Sequence, residues 1–134
     1  MLDIKTDTHH ARVPVTVMTI AGDIDSSNFH IFQASTDDLI KQQGVRHLLI
    51  DFRDVPHISS AGLRVIHNVF NLLRSLHKDA NDDELRKQMS MGLYKSPYIK
   101  VLNLNEKIRE VFNLAGFETY IEVFDDLESA VNSF

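Results

Sequence analysis

Residues 48–70, LLIDFRDVPHISSAGLRVIHNVF, contain the two periodicities that decide the fold. Leu48, Leu49 and Ile50 follow one another without polar alternation, as in a strand covered on both faces of a sheet. His47 to Phe52 is therefore read as a buried strand. After Pro56 the period changes. Leu63, Ile66, Val69, Phe70, Leu73 and Leu76 recur three and four residues apart, the stripe of an amphipathic helix. Between strand and helix stand Ser59 and Ser60, followed by Ala61 and Gly62.

The same reading extends outward. Val13 to Ile20 is short and β-branched, a strand with Pro14 tolerated near its start, and Leu2 to Thr6 is read as a short edge strand before it. Asp25, Ser26 and Ser27 are placed to cap a helix that runs to about Gln43, with Phe29, Phe32, Leu39 and Ile40 on one face and Gly44 as its stop. Tyr98 to Leu104 reads as a third core strand. A helix from Asn105 (Ile108, Val111, Phe112, Ala115) is stopped by Gly116, a last strand spans Glu118 to Phe124, and Asp125 and Asp126 open a terminal helix. Strands alternating with helices build a mostly parallel sheet through right-handed crossovers. The polar stretch His77 to Pro97 is read as a prolonged helix end plus a loop.

Length and composition narrow the function. A chain of 134 residues suits one domain, and 43% hydrophobic with 25% charged residues is enough apolar content for a packed core. The net charge of −5 weighs against direct nucleic-acid binding, which draws its affinity from basic side chains. The absence of cysteine removes disulfides, thiolate metal sites and cysteine nucleophiles, and suits a reducing compartment. Met1 to His10 is polar, without the apolar core of a secretion signal, and no apolar run reaches the roughly 20 residues of a bilayer span. A cytoplasmic protein without a membrane span is expected.

The serine pair carries the chemistry. Ser59 or Ser60 is placed to cap the helix, a local role worth about 1 kcal/mol. The same helix end offers unpaired N–H groups and a positive dipole to a phosphate, so a phosphoserine there could switch an interface without refolding the domain. A nucleophile elbow is the third reading of I-S-S-A-G. It fails because Ile58 stands where that motif needs glycine, and no acid-then-histidine pair follows in order.

Three segments together resemble the STAS domain, the fold of the anti-sigma factor antagonists. V-P-H-I-S-S-A-G-L after L-I-D-F is similar to that family's strand, D-x-S/R-x-V and D-S-S/A-G-L signature. G-D-I-D (Gly22 to Asp25) is similar to its G-x-L/I-D motif. L-N-L-N-E-K-I-R-E-V-F-N-L-A-G-F (Leu102 to Phe117) is similar to its later strand–helix segment. The resemblance covers about residues 10–134. It implies an α/β domain with a mostly parallel mixed sheet, an antiparallel N-terminal edge strand and about four helices. It makes residues 1–134 a single STAS domain, with 77–97 as an insertion longer than most members carry.

The resemblance further implies a binding protein rather than an enzyme, without a cofactor. Its partner would be an anti-sigma factor of the histidine-kinase-type ATPase family, itself a serine kinase. Phosphorylation of one serine would dissolve the complex, and a serine phosphatase would reset it. By position that serine is Ser60, with Ser59 as the alternative acceptor, because Ser59 replaces the family's usual aspartate. Gly22, Asp23, Asp25, Ser26, Ser59, Ser60, Ala61, Gly62 and Arg64 would form the partner-binding surface. The alternative is a STAS scaffold subunit of a larger signalling or transport assembly that is never phosphorylated, which the change at position 59 and the insertion favour.

Two other groups of polar residues are assigned no chemistry. His9 and His10 are expected in a mobile tail, and His30, His47, His57, His67 and His77 fall on different elements without metal-ligand spacing. Asp23, Asp25, Asp51 and Asp54 serve caps and turns rather than acid–base catalysis.

Overall fold

The computed structural model describes residues 2–77, 82–92 and 94–134. Five strands form one sheet in the order of the chain: β1 (Asp3–His10), β2 (Pro14–Ala21), β3 (Leu48–Asp54), β4 (Ile99–Leu102) and β5 (Val123–Phe124). β1 is antiparallel to β2, and every later pair is parallel. The helices are α1 (Phe29–Asp37), α2 (Ser60–Leu76), α3 (Asp82–Ser90), α4 (Glu106–Leu114) and α5 (Leu127–Asn132). The expected mixed sheet with an antiparallel N-terminal edge strand is therefore present, and the described residues form five α-helices where about four were expected.

Strand alternation divides the core in two. Met18, Ile20, Leu48, Ile50 and Phe52 face the helix layer, where Phe32, Ile66, Phe70, Leu73, Ile108 and Phe112 cover them. Val15, Val17, Leu49 and Leu102 face the other way and meet Ala130, Val131 and Phe134 at the C-terminal end. The unbroken Leu48-Leu49-Ile50 run is thus buried on both sides, as its sequence demands. Lys100, 3% exposed, helps to pin the second layer. Its ammonium donates to the Ser133 carbonyl at 3.0 Å and hydroxyl at 2.9 Å, lies 3.3 Å from the Glu122 carboxylate, and stands over the Phe134 ring.

Several local expectations need correction. β1 continues to His10, so His9 and His10 belong to a strand opposite Val15 and Pro14, not to a tail. The first helix starts at Phe29 and ends in one π-helical turn, Asp38–Gln42, before Gly44 takes a left-handed φ of 72°. Between its apolar residues Phe32 and Leu39, Thr36 is buried and its hydroxyl donates to the Gln33 carbonyl. The stretch Glu118 to Phe124 supplies only two strand residues. Gly116 (φ 80°) turns the chain into a 3₁₀ turn, Phe117–Thr119, and Phe117, Tyr120 and Ile121 are buried in the helix-side core rather than paired in the sheet. The segment 77–97 holds a separate helix, α3, in place of a prolonged α2. Within that expected insertion, residues 78–81 and Leu93 lie outside the described residues.

At the start of β3, His47 packs among the rings of His77, Tyr98 and Phe134, with His77 stacked on Tyr98 at 3.7 Å. Burial holds the His47 imidazole below the ordinary 6.5, and the charges of His77 and Lys100 act in the same direction. The unfolded chain therefore takes up a proton near pH 6.5 that the folded chain still refuses. Stability is complete above that pH and declines as the pH falls toward the folded value. Asp25 and Asp126, both lowered from 3.8, contribute only in a more acidic range. Urea unfolding at about pH 7.5 and about pH 5.5 should show a lower midpoint at the acidic pH, and His47→Phe should flatten that difference. An equal slope in the variant would remove His47 as its cause.

Candidate functional site

The parallel pairing of β2 and β3 does not stop at their ends. A register shift between Thr19 and Ala21 lets the two chains leave the sheet side by side. The Gly22 N–H donates to the Asp54 carbonyl at 3.0 Å and the Ile24 N–H to the His57 carbonyl at 3.0 Å. The Ser59 N–H then donates to the Ile24 carbonyl at 2.8 Å. Ile24 and Ile58 form an isolated parallel bridge, and both side chains are buried. This ladder brings Gly22, Asp23, Asp25 and Ser26 beside Ser59, Ser60, Ala61 and Gly62.

Glycine is required twice here. Gly22 sits at φ 115°, a conformation costly for any residue with a Cβ. Gly62 has an ordinary helical backbone but no room: a Cβ would fall 2.6 Å from Ile58 Cγ1 and 2.7 Å from Ile24 Cγ2. The S-A-G spacing therefore lets the first turn of α2 settle on the Ile24–Ile58 bridge.

The two serines differ. Ser59 occupies the N-cap position in extended conformation (φ −87°, ψ 173°), and its carbonyl accepts from the Leu63 N–H at 3.0 Å. Its hydroxyl oxygen is buried and has no hydrogen-bond partner, so it does not cap the helix through its side chain as expected. Ser60 is the first helical residue and is exposed. Arg64, one turn further along, is exposed on the same helix.

The Gly22–Asn28 loop is ordered by its own polar groups. The Asp25 carboxylate accepts from the Ser27 N–H at 2.9 Å and from the Ser27 hydroxyl. These bonds, the hydroxyl first, lower its pKa from 3.8, and the charge of His57 adds a small part. Asn28 was not singled out from the sequence. Its Oδ1 accepts from the Asp25 N–H at 2.9 Å and its Nδ2 donates to the Asp23 carbonyl at 2.7 Å. Asn28, not Asp25 to Ser27, holds the N-cap position of α1. Asp25 instead closes the turn before it, where its carbonyl accepts from the Phe29 N–H.

The α4 side of the site was also missed. The Asn105 Oδ1 accepts from the Ile108 N–H at 2.8 Å, capping α4, while its Nδ2 donates to the carbonyls of Pro56 at 3.1 Å and Val55 at 3.3 Å. Beside it His57, Ile58, Lys107, Ile108 and Val111 line a mostly apolar cavity of about 190 Å³. Asn105 was readable as a cap, but its second role depends on a contact about fifty positions away in the chain. Among the described residues, no three His, Asp or Glu side chains converge as a metal site would require. No helix among them is long and apolar enough to cross a membrane.

The geometry has counterparts of known structure. An anti-sigma factor antagonist from Mycobacterium paratuberculosis superposes with a TM-score of 0.73 at 15% identity, covering 99% of this chain and 93% of that one. The Bacillus cell fate determinant SpoIIAA in its phosphorylated form gives 0.65 at 15% identity, covering 97% of each chain. The murine Solute Carrier 26 family member A9 anion transporter gives 0.64 at 12% identity, over 98% of this chain but 22% of that one. No curated protein sequence matches the chain. The family model described as the STAS domain matches residues 5–77, more than half of the sequence and including the whole Gly22–Gly62 ladder, and the chain accordingly belongs to the STAS domain family.

Proposed function

We propose that this chain is an anti-sigma factor antagonist switched by phosphorylation of Ser60. The observation that carries the reading is the contrast within the serine pair: the Ser60 side chain is open to solvent on the first turn of α2, whereas the Ser59 hydroxyl oxygen is buried. A kinase can reach the first and not the second. The unmodified surface, formed by Gly22 to Ser26 and Ser59 to Arg64, binds the anti-sigma factor, a serine kinase of the histidine-kinase ATPase type. Phosphate on Ser60 releases that partner and a serine phosphatase restores binding. The protein acts in the cytoplasm, by binding and without catalysis of its own. The likeness in fold to an anti-sigma factor antagonist from Mycobacterium paratuberculosis and to the anti-sigma factor antagonist SpoIIAA, which is also known in a phosphorylated form, supports this reading.

Peptide mass spectrometry of the protein from its native cells under two growth conditions tests it. One phosphate on Ser60, varying with condition, is expected. Phosphate on Ser59, or none under any condition, would sink the proposal. The second outcome would favour a constitutive scaffold subunit, the reading that the added helix α3 supports. Deletion of residues 77–97 would then weaken assembly.

A further inference from the structure

The outer edge of the sheet carries a charge pattern that the partner surface does not use. β1 ends the strand order, and no strand among the described residues pairs with its far side. Eight residues long, it offers a row of backbone donors and acceptors without a strand partner, among which the Thr8 N–H donates to the Asp7 carboxylate at 3.0 Å. Leu2 and Ile4 pack into the helix-side core, so by alternation Asp3, Lys5, Asp7 and His9 line the opposite face of the strand. Proteins commonly guard such an edge with charges. Here the charges are complementary to themselves.

We infer that β1 is a homodimerisation edge that pairs antiparallel with β1 of a second copy, centred on Thr6. In that register Thr6 meets Thr6, Lys5 meets Asp7 of the second copy twice by symmetry, and Asp3 stands opposite His9 of the second copy, whose ring N–H can donate to the carboxylate. Ile4 lies opposite Thr8 on the helix side. Sliding the pairing by two residues spoils it. A centre at Lys5 sets Lys5 against Lys5 and Asp3 against Asp7. A centre at Asp7 sets Asp7 against Asp7 and leaves Lys5 opposite His9, without a carboxylate to pair with. Slides of four residues restore unlike pairs but shorten the ladder. Odd shifts would turn the helix layers to opposite sides of the joined sheet. The full-length register centred on Thr6 is therefore the one selected, because like charges directly opposite are destabilising and unlike charges favourable. Among the described residues Lys5 has no ion-pair partner within its own chain, while Asp7 lies 3.3 Å from the His9 imidazole. The ladder between Gly22 and Gly62 continues from the C-terminal ends of β2 and β3, whereas the dimer uses the edge of β1 that faces away from β2.

Sedimentation velocity over a concentration series reads the proposal directly. The native protein is expected to dimerise reversibly. Lys5→Asp should weaken the dimer about tenfold or more, since two unlike pairs become like pairs. Asp7→Lys should act likewise. An equimolar mixture of the two variants should recover native-strength association as a heterodimer, and the double variant Lys5→Asp/Asp7→Lys should recover it as a homodimer. Both sites are exposed, and circular dichroism checks that each variant keeps its fold. A protein still monomeric at about 1 mM would overturn the inference. So would a dimer that ignores the charge reversals and must use another surface, or reversals that the mixture does not rescue.

Discussion

Ser60→Asp is expected to weaken binding to the proposed anti-sigma factor by about 100-fold or more, with no loss of fold. About 100-fold is ~2.7 kcal/mol. An uncompensated charge carried into a tight interface typically costs 2–5 kcal/mol or more, so the size is reachable with one carboxylate. The fold, by contrast, has reason to accept the charge. Ser60 is exposed on the first turn of a 17-residue helix, where an anion interacts favourably with the dipole by roughly 0.3–1 kcal/mol. Arg64 stands four residues along, at the spacing of an i,i+4 ion pair worth about 0.3–0.5 kcal/mol. The modification should therefore act on the complex and leave the monomer almost untouched. A real phosphate, with about twice the charge, should act more strongly than aspartate. Isothermal titration calorimetry against the partner, paired with urea unfolding, separates the two effects. Ser60→Ala should bind like the native protein and lose its response to kinase and ATP. Native affinity in Ser60→Asp would move the switch away from this serine.

The parts of the fold legible in the sequence are those whose local pattern and tertiary environment agree. Residues 48–70 are of this kind: an apolar run became the strand buried on both faces, and the three-and-four spacing became the helix that covers it. The edges were less legible. β1 is exposed along most of its length, so Asp3 to His10 shows little alternation, and its strand character comes from pairing with β2. The apolar residues Phe117, Tyr120 and Ile121 gave the opposite error. They suggested a strand, but they are buried as side chains under α2 and α4, and only Val123 and Phe124 reach the sheet. In the site, the glycines and serines were readable as a motif. The role of Asn28 and the second role of Asn105 were not, because asparagines suited to any turn gain meaning from the carbonyls they meet, and those of Asn105 belong to a loop distant in sequence. The resemblance named Ser60, with Ser59 as the alternative, and the burial of the Ser59 hydroxyl oxygen supports the proposal of Ser60.

The second large effect is expected at Gly62, where the core meets the proposed binding surface. Gly62→Ala should destabilise the protein by about 1–2 kcal/mol, and Gly62→Val by about 3 kcal/mol or more. Two terms compete for alanine. Helix propensity favours it over glycine by roughly 1 kcal/mol. Against that, overpacking in a filled core costs about 1–3 kcal/mol, and the new Cβ would sit 2.6 Å from Ile58 Cγ1 and 2.7 Å from Ile24 Cγ2. Both atoms branch directly from a Cβ and cannot swing aside like the tip of a long chain. Relief must come from shifting the backbone of Ile24 and Ile58, which is the ladder that carries the Asp25 turn and Ser59. The overpacking term therefore wins, and it acts on the proposed partner surface as well as on the core. Partner affinity should fall in Gly62→Ala even at temperatures where the variant is fully folded. A double-mutant cycle identifies the cause. Ile58→Ala alone should cost about 2–5 kcal/mol by leaving a cavity. In the double variant Gly62→Ala/Ile58→Ala, the methyl introduced by the first change enters the space vacated by Ile58 Cγ1, so the combined loss should be smaller than the sum of the two. Additive losses in urea unfolding would show that the Gly62–Ile58 contact is not what requires glycine at this position.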